Sequence, residues 1–199
     1  LSNLRHLRTI GAVGQGVVRP AFSAADMGAR DWLRSQFEEA GLTTAMDGVG
    51  NVTGKSPNTG PAMLIGSHSD TQPTGGWLDG ALGVIYGLEV ARTLAEDSTT
   101  RQLAVDVVSL QDEESRFYGC LGSRSLCGLL PPDAISQAMD KDGVTLLDAL
   151  REAGLENVPH EALDLSRYRG FLEAHIEQGP HLEAAGNRVG VVDSIVGLG

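Results

Sequence analysis

Ala62-Met63-Leu64-Ile65-Gly66-Ser67-His68-Ser69-Asp70 (62–70) opens as a compact apolar run and ends in polar residues, and its reading decides the fold. A short apolar run with no helical period reads as a strand buried on both faces. Its carboxyl end carries His68. Gly75-Gly76-Trp77-Leu78-Asp79-Gly80 follows, and Asp79 opens a helix whose apolar face is Val84, Leu88, Ala91 and Leu94. Leu103 to Leu110 is again rich in Val and Leu, reads as a second buried strand, and runs directly into Asp112-Glu113-Glu114.

Outward from this centre the chain keeps alternating. Leu1 to Ile10 reads as an amphipathic helix. Ser23 to Ala40 reads as another, with Ser23 as N-cap, Asp26 at the answering position and Gly41 as the stop. Val49 to Thr53 is a short strand candidate. Beyond the acidic triplet come short helices at 123–127, 133–139 and 146–153. A strand follows at 170–176 with His175 in it or at its end, and a last strand at 188–196. Strands alternating with helices define an α/β protein, a mixed sheet flanked by helices. In open α/β sheets, sites form outside the carboxyl ends of the strands. The clusters around His68, Glu113 and His175 all fall at such ends, which predicts one shared site.

Bulk properties narrow the partners. A net charge of -11 disfavours nucleic acid and anionic membrane surfaces. With 41% hydrophobic and 21% charged residues the chain reads as an ordinary globular protein, and no apolar run approaches the roughly 20 residues of a membrane span. Leu1 to Ile10 lacks a signal-peptide pattern. Cys120 and Cys127 match no zinc or redox spacing and read as free thiols of a reducing compartment, so the expected location is cytoplasmic. The glycine cluster at 11–16 follows a helical stretch rather than a strand, which argues against a dinucleotide loop.

Each cluster has a plain reading beside a chemical one. His68 with Asp70 two residues on fits a metal ligand and the carboxylate that orients it. Asp79 can bridge two ions through its two oxygens; taken alone, it reads sooner as a helix N-cap, and His68 as a buried structural histidine. Three adjacent carboxylates at 112–114 are usually a solvated face, but here they follow a buried strand and call for a compensating cation. One glutamate there can bind metal while its neighbour takes a proton from a metal-bound water. His175 alone is an ordinary strand histidine; with His68, Asp79 and Glu114 it completes a set of two histidines and two carboxylates. That inventory suits Zn or Mn, not the all-oxygen preference of calcium.

Three ordered motifs carry a family resemblance: GSHSDTQPTGGWLDGALGV (66–84), QDEESRF (111–117) with LGSRSL (121–126), and EAHIEQGPHLE (173–183). They resemble the amidase, hydantoinase and carbamoylase branch of the M20 metallopeptidases, which includes N-carbamoyl-L-amino acid hydrolase, β-ureidopropionase and allantoate amidohydrolase. The resemblance implies a zinc-exopeptidase-like catalytic domain holding two divalent ions, Zn or Mn first and Co or Ni as options. It implies His68 and His175 as ligands of one ion, Asp79 as the bridge, Glu114 on the other ion, Glu113 as general base, Asp70 as support for His68 and Gln178 facing substrate. The substrate implied is a small ureido or amide molecule. The string DTQPTGG leans toward the carbamoylase and ureidopropionase members.

One departure is local: the family's usual glycine between the paired glutamates and Ser-Arg-Phe is absent. A second is global. The resemblance implies that residues 1–199 are the N-terminal part of the catalytic domain. A lid and dimerisation domain and a C-terminal catalytic segment then lie elsewhere, the full-length protein is a homodimer, and this chain alone is inactive. Two alternatives stand beside this reading. One is another M20 peptidase or aminoacylase, and the other a non-catalytic metal-binding or interaction module.

Overall fold

A computed structural model describes residues 1–194. Its centre is a five-stranded sheet of order β3-β4-β6-β5-β7. The strands are β3 (Thr43–Met46), β4 (Val52–Lys55), β5 (Ala62–His68), β6 (Ala104–Leu110) and β7 (Tyr168–Leu172). β5 pairs in parallel with both β6 and β7, while β4 runs antiparallel to β6 and to β3. The sheet is therefore mixed. A small separate ladder joins β1 (Ala12–Val13) to β2 (Gly16–Val17).

The apolar runs at 62–67 and 103–110 become the two central strands because both of their faces are covered. Along β5, Ile65 packs into a cluster with α1 (Ser2–Thr9), α2 (Ala24–Glu39) and α3 (Ala81–Glu96), whereas its neighbour Leu64 packs on the opposite face with Val108 and Leu126. This is the alternation a strand imposes on successive side chains. The larger cluster includes Leu4, Leu7, Leu33, Phe37, Val84, Ile85 and Leu88. α3 seats closely on β5 at Gly83, where a Cβ would come within 2.7 Å of both the Ser67 Cβ and the Ala174 carbonyl oxygen.

A third apolar cluster lies beyond α2, built from Phe22, Val49, Phe117, Leu121, Leu146 and Leu150. It holds α4 (Leu121–Leu126) and α6 (Leu146–Glu152) and so braces the turn that follows β6. α5 (Ala134–Gln137) and α7 (His181–Ala184) are single turns.

Several sequence expectations shift. The strand expected at 49–53 forms at 52–55, and β3 was not anticipated because its residues 43–46 are short and half-exposed. β7 spans 168–172 rather than 170–176, so His175 lies past its end, and Phe171 and Leu172 are exposed rather than buried. Residues 188–194 form no strand: Val189, Val191 and Val192 are exposed and unpaired, and a strand needs a partner for its backbone groups. Residues 195–196 of that expected strand lie outside the described residues. Both cysteines are free. Among the described residues no helix is long and apolar enough to cross a membrane.

Candidate metal centre

The parallel strands β5, β6 and β7 all deliver their carboxyl ends to the same rim. His68 is the last residue of β5 and is 2% exposed. Its Nδ1 lies 2.9 Å from the Asp70 carbonyl oxygen. A carbonyl only accepts, so Nδ1 carries a hydrogen, and Nε2 faces the rim. His175 repeats the arrangement, with Nδ1 2.8 Å from the Ile176 carbonyl oxygen. Its Nε2 lies 3.0 Å from Asp79 Oδ1.

That last contact is informative. Asp79 Oδ1 is buried and accepts no hydrogen bond. With Nε2 unprotonated, two lone pairs face each other at 3.0 Å, an arrangement that repels unless a proton or a metal cation stands between them. The other oxygen, Oδ2, accepts from Gln178 Nε2 at 3.0 Å. The reading of Asp79 as a plain helix cap fails here, because the N-cap of α3 is Gly80 and no side chain caps the helix. Gly80 has φ +62°, and a Cβ there would lie 2.4 Å from His68 Nε2. The turn thus brings bare backbone against the ring that Asp79 faces.

Two overlapping groups follow. His68, Asp79 and His175 each offer a ligand atom within 4.8 Å of the others, and so do His68, Glu113 and Glu114. His68 Nε2 is 3.6 Å from Glu113 Oε2. Glu114 Oε2 accepts from Gln72 Nε2 at 2.7 Å. The imidazole, carboxylate and orphaned-oxygen inventory fits a divalent cation.

Asp70 sits beneath both groups and is fully buried. Its Oδ2 accepts from the Glu114 backbone N at 3.1 Å, and its Oδ1 lies 3.7 Å from His68 Nδ1. Burial alone would push the His68 imidazole down, but Asp70 and then Glu113 outweigh it and hold its pKa up at about 9. Burial pushes the Glu113 carboxyl up; His68 opposes that, while Glu114, Asp70 and Glu173 reinforce it. Glu173, on the same rim, accepts from Ser67 Oγ.

The turn after β6 is held by Asp112, the first member of the acidic triplet. It is fully buried and accepts from the backbone N of Arg116, Phe117 and Tyr118 at 2.6, 2.9 and 2.8 Å. Burial pushes its carboxyl up to about 6 against those three hydrogen bonds. Ser115, beside the position where the family resemblance implied a glycine, takes a left-handed φ of 63°. The backbone still makes a glycine-like turn there, at a strain cost of about 1–2 kcal/mol.

The structure thus gathers His68, Asp70, Asp79, Glu113, Glu114 and His175 at one rim, and places Gln178 on Asp79. Sequence reasoning missed Gln72, Glu173 and Arg30. Arg30 carries no local signal in the sequence, and its 0% exposure marks it out. The rim is open, with the side chains of Glu113 and His175 42% and 36% exposed. A separate cleft of about 500 Å³, lined by Met27, Arg34, Met46, Glu152 and Leu155 among others, contains none of these residues.

The mixed sheet and its rim of histidines and carboxylates point to a peptidase-like catalytic fold. The sequence model of peptidase family M28 matches residues 49–167, more than half of the chain, and the chain belongs to that family. The M20 resemblance had named a related metallopeptidase family; the expected branch, the hydantoinase and carbamoylase amidases, is the one its relatives represent. The chain is 39% identical over 205 residues to the N-carbamoyl-L-amino acid amidohydrolase of Geobacillus stearothermophilus, covering 98% of this chain and 50% of that protein. It is 36% identical to the allantoate deiminase of Arabidopsis thaliana, covering 99% of this chain and 39% of that protein. The crystal structure of an amidase of the hydantoinase/carbamoylase family from Burkholderia phymatum superposes with a TM-score of 0.91 at 55% identity, over 93% of this chain and 46% of that one. The chain spans about half the length of the curated relatives it matches.

Proposed function

We propose that this chain supplies the N-terminal part of the catalytic domain of a cytoplasmic amidohydrolase that cleaves the ureido C–N bond of N-carbamoyl-amino acids with two bound divalent ions, Zn or Mn. The observation that carries the reading is the convergence of His68, Asp79 and His175, with the buried Asp79 Oδ1 facing His175 Nε2 at 3.0 Å. The names of the relatives supply the substrate class. The lid and dimer interface of the full-length enzyme belong to residues outside this chain.

His68 and His175 would hold one ion through Nε2, Asp79 would bridge, and Glu114 would hold the second. Bound ions of this kind supply Lewis acidity and a water acidified toward neutrality. Asp70 fixes the His68 ring by accepting Nδ1–H at its carbonyl. Glu113, half-buried and with a raised pKa, is suited to take a proton from the attacking water and return it to the leaving nitrogen. Water and an N-carbamoyl-amino acid then give the amino acid, carbon dioxide and ammonia.

The test is Glu113→Gln in the full-length enzyme, with N-carbamoyl-L-amino acids as substrate. Turnover falls by about 10²–10⁴ while ion content is unchanged. Near-normal turnover removes Glu113 from the role. The peptidase family match favours a second reading, and faster hydrolysis of dipeptides than of carbamoyl substrates would establish it.

A further inference from the structure

Arg30 lies on α2, a helix that contributes no residue to the rim, yet every donor of its guanidinium is committed beneath it. Nε donates to Asp26 Oδ1 and Oδ2 at 3.0 and 3.2 Å. Nη1 donates to the carbonyls of Gly50 and Ser109 at 3.1 and 3.2 Å. Nη2 donates to the Leu110 carbonyl at 3.0 Å and to Gln111 Oε1. The guanidinium offers five N–H groups, and these partners use them all. Asp70 Oδ1, buried and without a hydrogen bond of its own, lies 3.8 Å from Nη2.

These partners fall into two sets. Ser109, Leu110 and Gln111 are the end of β6 and the step that leads to Glu113 and Glu114. Asp70 is the residue that orients His68 and accepts from the Glu114 backbone. The guanidinium therefore holds the carboxyl end of β6 by hydrogen bonds and faces, as a charge at 3.8 Å, the residue just past the carboxyl end of β5. Those two ends carry the two halves of the ligand set. Asp26 neutralises the surplus charge from behind, and Gln111 Nε2 closes the network by donating to Asp26 Oδ2 at 3.0 Å.

We infer that Arg30 is a positioning residue of the metal centre: its hydrogen bonds fix the end of β6, its charge faces Asp70 at 3.8 Å, and together these set the spacing between His68 and the Glu113–Glu114 pair. The inference rests on the metal-site reading above. A planar fork is required, because a lysine ammonium has three donors and leaves carbonyl oxygens unpaired.

The experiment titrates Co²⁺ into the chain and follows the visible absorption of the bound ion, with thermal melting alongside. The proteins are wild type, Arg30→Lys, the double variant Asp26→Leu/Arg30→Met, Asp70→Asn, and Asp70→Asn combined with Arg30→Lys. The double variant removes the whole buried ion pair, a replacement that leaves stability near neutral in comparable cases, so it covers failure of the lysine variant to fold. Both Arg30 variants are expected to lose about tenfold or more in Co²⁺ affinity and to shift the absorption bands. In the Asp70→Asn background the lysine substitution is expected to cost clearly less than it does in wild type. A folded Arg30 variant with wild-type affinity and spectrum overturns the inference. So does full additivity with Asp70→Asn, which marks a role in folding alone. Absence of Co²⁺ binding by the wild type is a different result: it removes the metal-site reading itself and the inference with it.

Discussion

Replacing Gly80 by alanine tests how closely the backbone must approach His68. Two costs add. The residue has φ 62° and ψ -52°, a region that side chains avoid, and holding alanine there costs about 1–3 kcal/mol. The new Cβ would also sit 2.4 Å from His68 Nε2 and 2.5 Å from both Cδ2 and Cε1. Carbon contacts relax near 3.5–4 Å, so ring and methyl must separate by about 1 Å. The ring is 2% exposed and pinned by its 2.9 Å hydrogen bond to the Asp70 carbonyl, so it cannot swing away freely. Ligand distances tolerate only about 0.2 Å, and a displacement of about 1 Å is expected to lower ion affinity by about 100-fold or more. Destabilisation of about 2 kcal/mol lowers Tm by about 4–8 °C in a domain of this size. Calorimetric titration with Zn²⁺ and thermal melting measure the two effects. Gly76→Ala is the control, since a Cβ there meets nothing within 4 Å. A Gly80→Ala protein with wild-type melting and wild-type Zn²⁺ affinity would refute the argument that the glycine is required by His68.

Asp79→Asn is expected to act in opposite directions on stability and binding: the amide can donate to His175 Nε2 while its oxygen keeps the Gln178 bond. The metal-free protein should gain about 1 kcal/mol in urea unfolding while Zn²⁺ affinity collapses, and a loss of metal-free stability would contradict the lone-pair clash. Phe37→Ala empties a fully buried position under the sheet and should cost about 3–5 kcal/mol in urea unfolding; a cost under about 1 kcal/mol would mean that the cluster collapses around the gap. In the metal-free protein the His68 pKa of about 9 lies above its unfolded value near 6.5. Its contribution to stability is therefore complete below about pH 6.5 and is lost as pH rises through 9, up to about 3 kcal/mol in all. Urea melts in chelator from pH 6 to pH 10 measure this, and a flat profile would remove the His68–Asp70 coupling.

The elements legible in the sequence are those whose signal is local. Ser23 caps α2 by accepting from the Asp26 N at 3.2 Å, as its position announced. The Asp26 carboxylate does something the capping pattern did not announce: it reaches back to the Phe22 N and pairs with Arg30. The apolar runs of β5 and β6 were legible because burial on both faces demands unbroken hydrophobicity. β3 and the true end of β7 were not, since short half-exposed strands are defined by the partner they pair with. The strand expected at 188–196 marks the same limit, because a run of valines is only a strand when a neighbour accepts its backbone bonds.

The sequence by itself determined the α/β alternation and the residue types at the strand ends, because hydrophobic period and turn chemistry act between near neighbours. Whether Asp79 caps a helix or faces an ion was left open by spacing alone. Tertiary structure excluded the cap by placing Gly80 there, and set the Asp79 oxygen opposite His175. It also decided the place of Arg30, whose partners at positions 50, 70 and 109–111 lie far along the chain. A charge on a helix face declares nothing about what covers it, and only the packing of α2 against β3 and β4 turned that face inward, toward the end of β6.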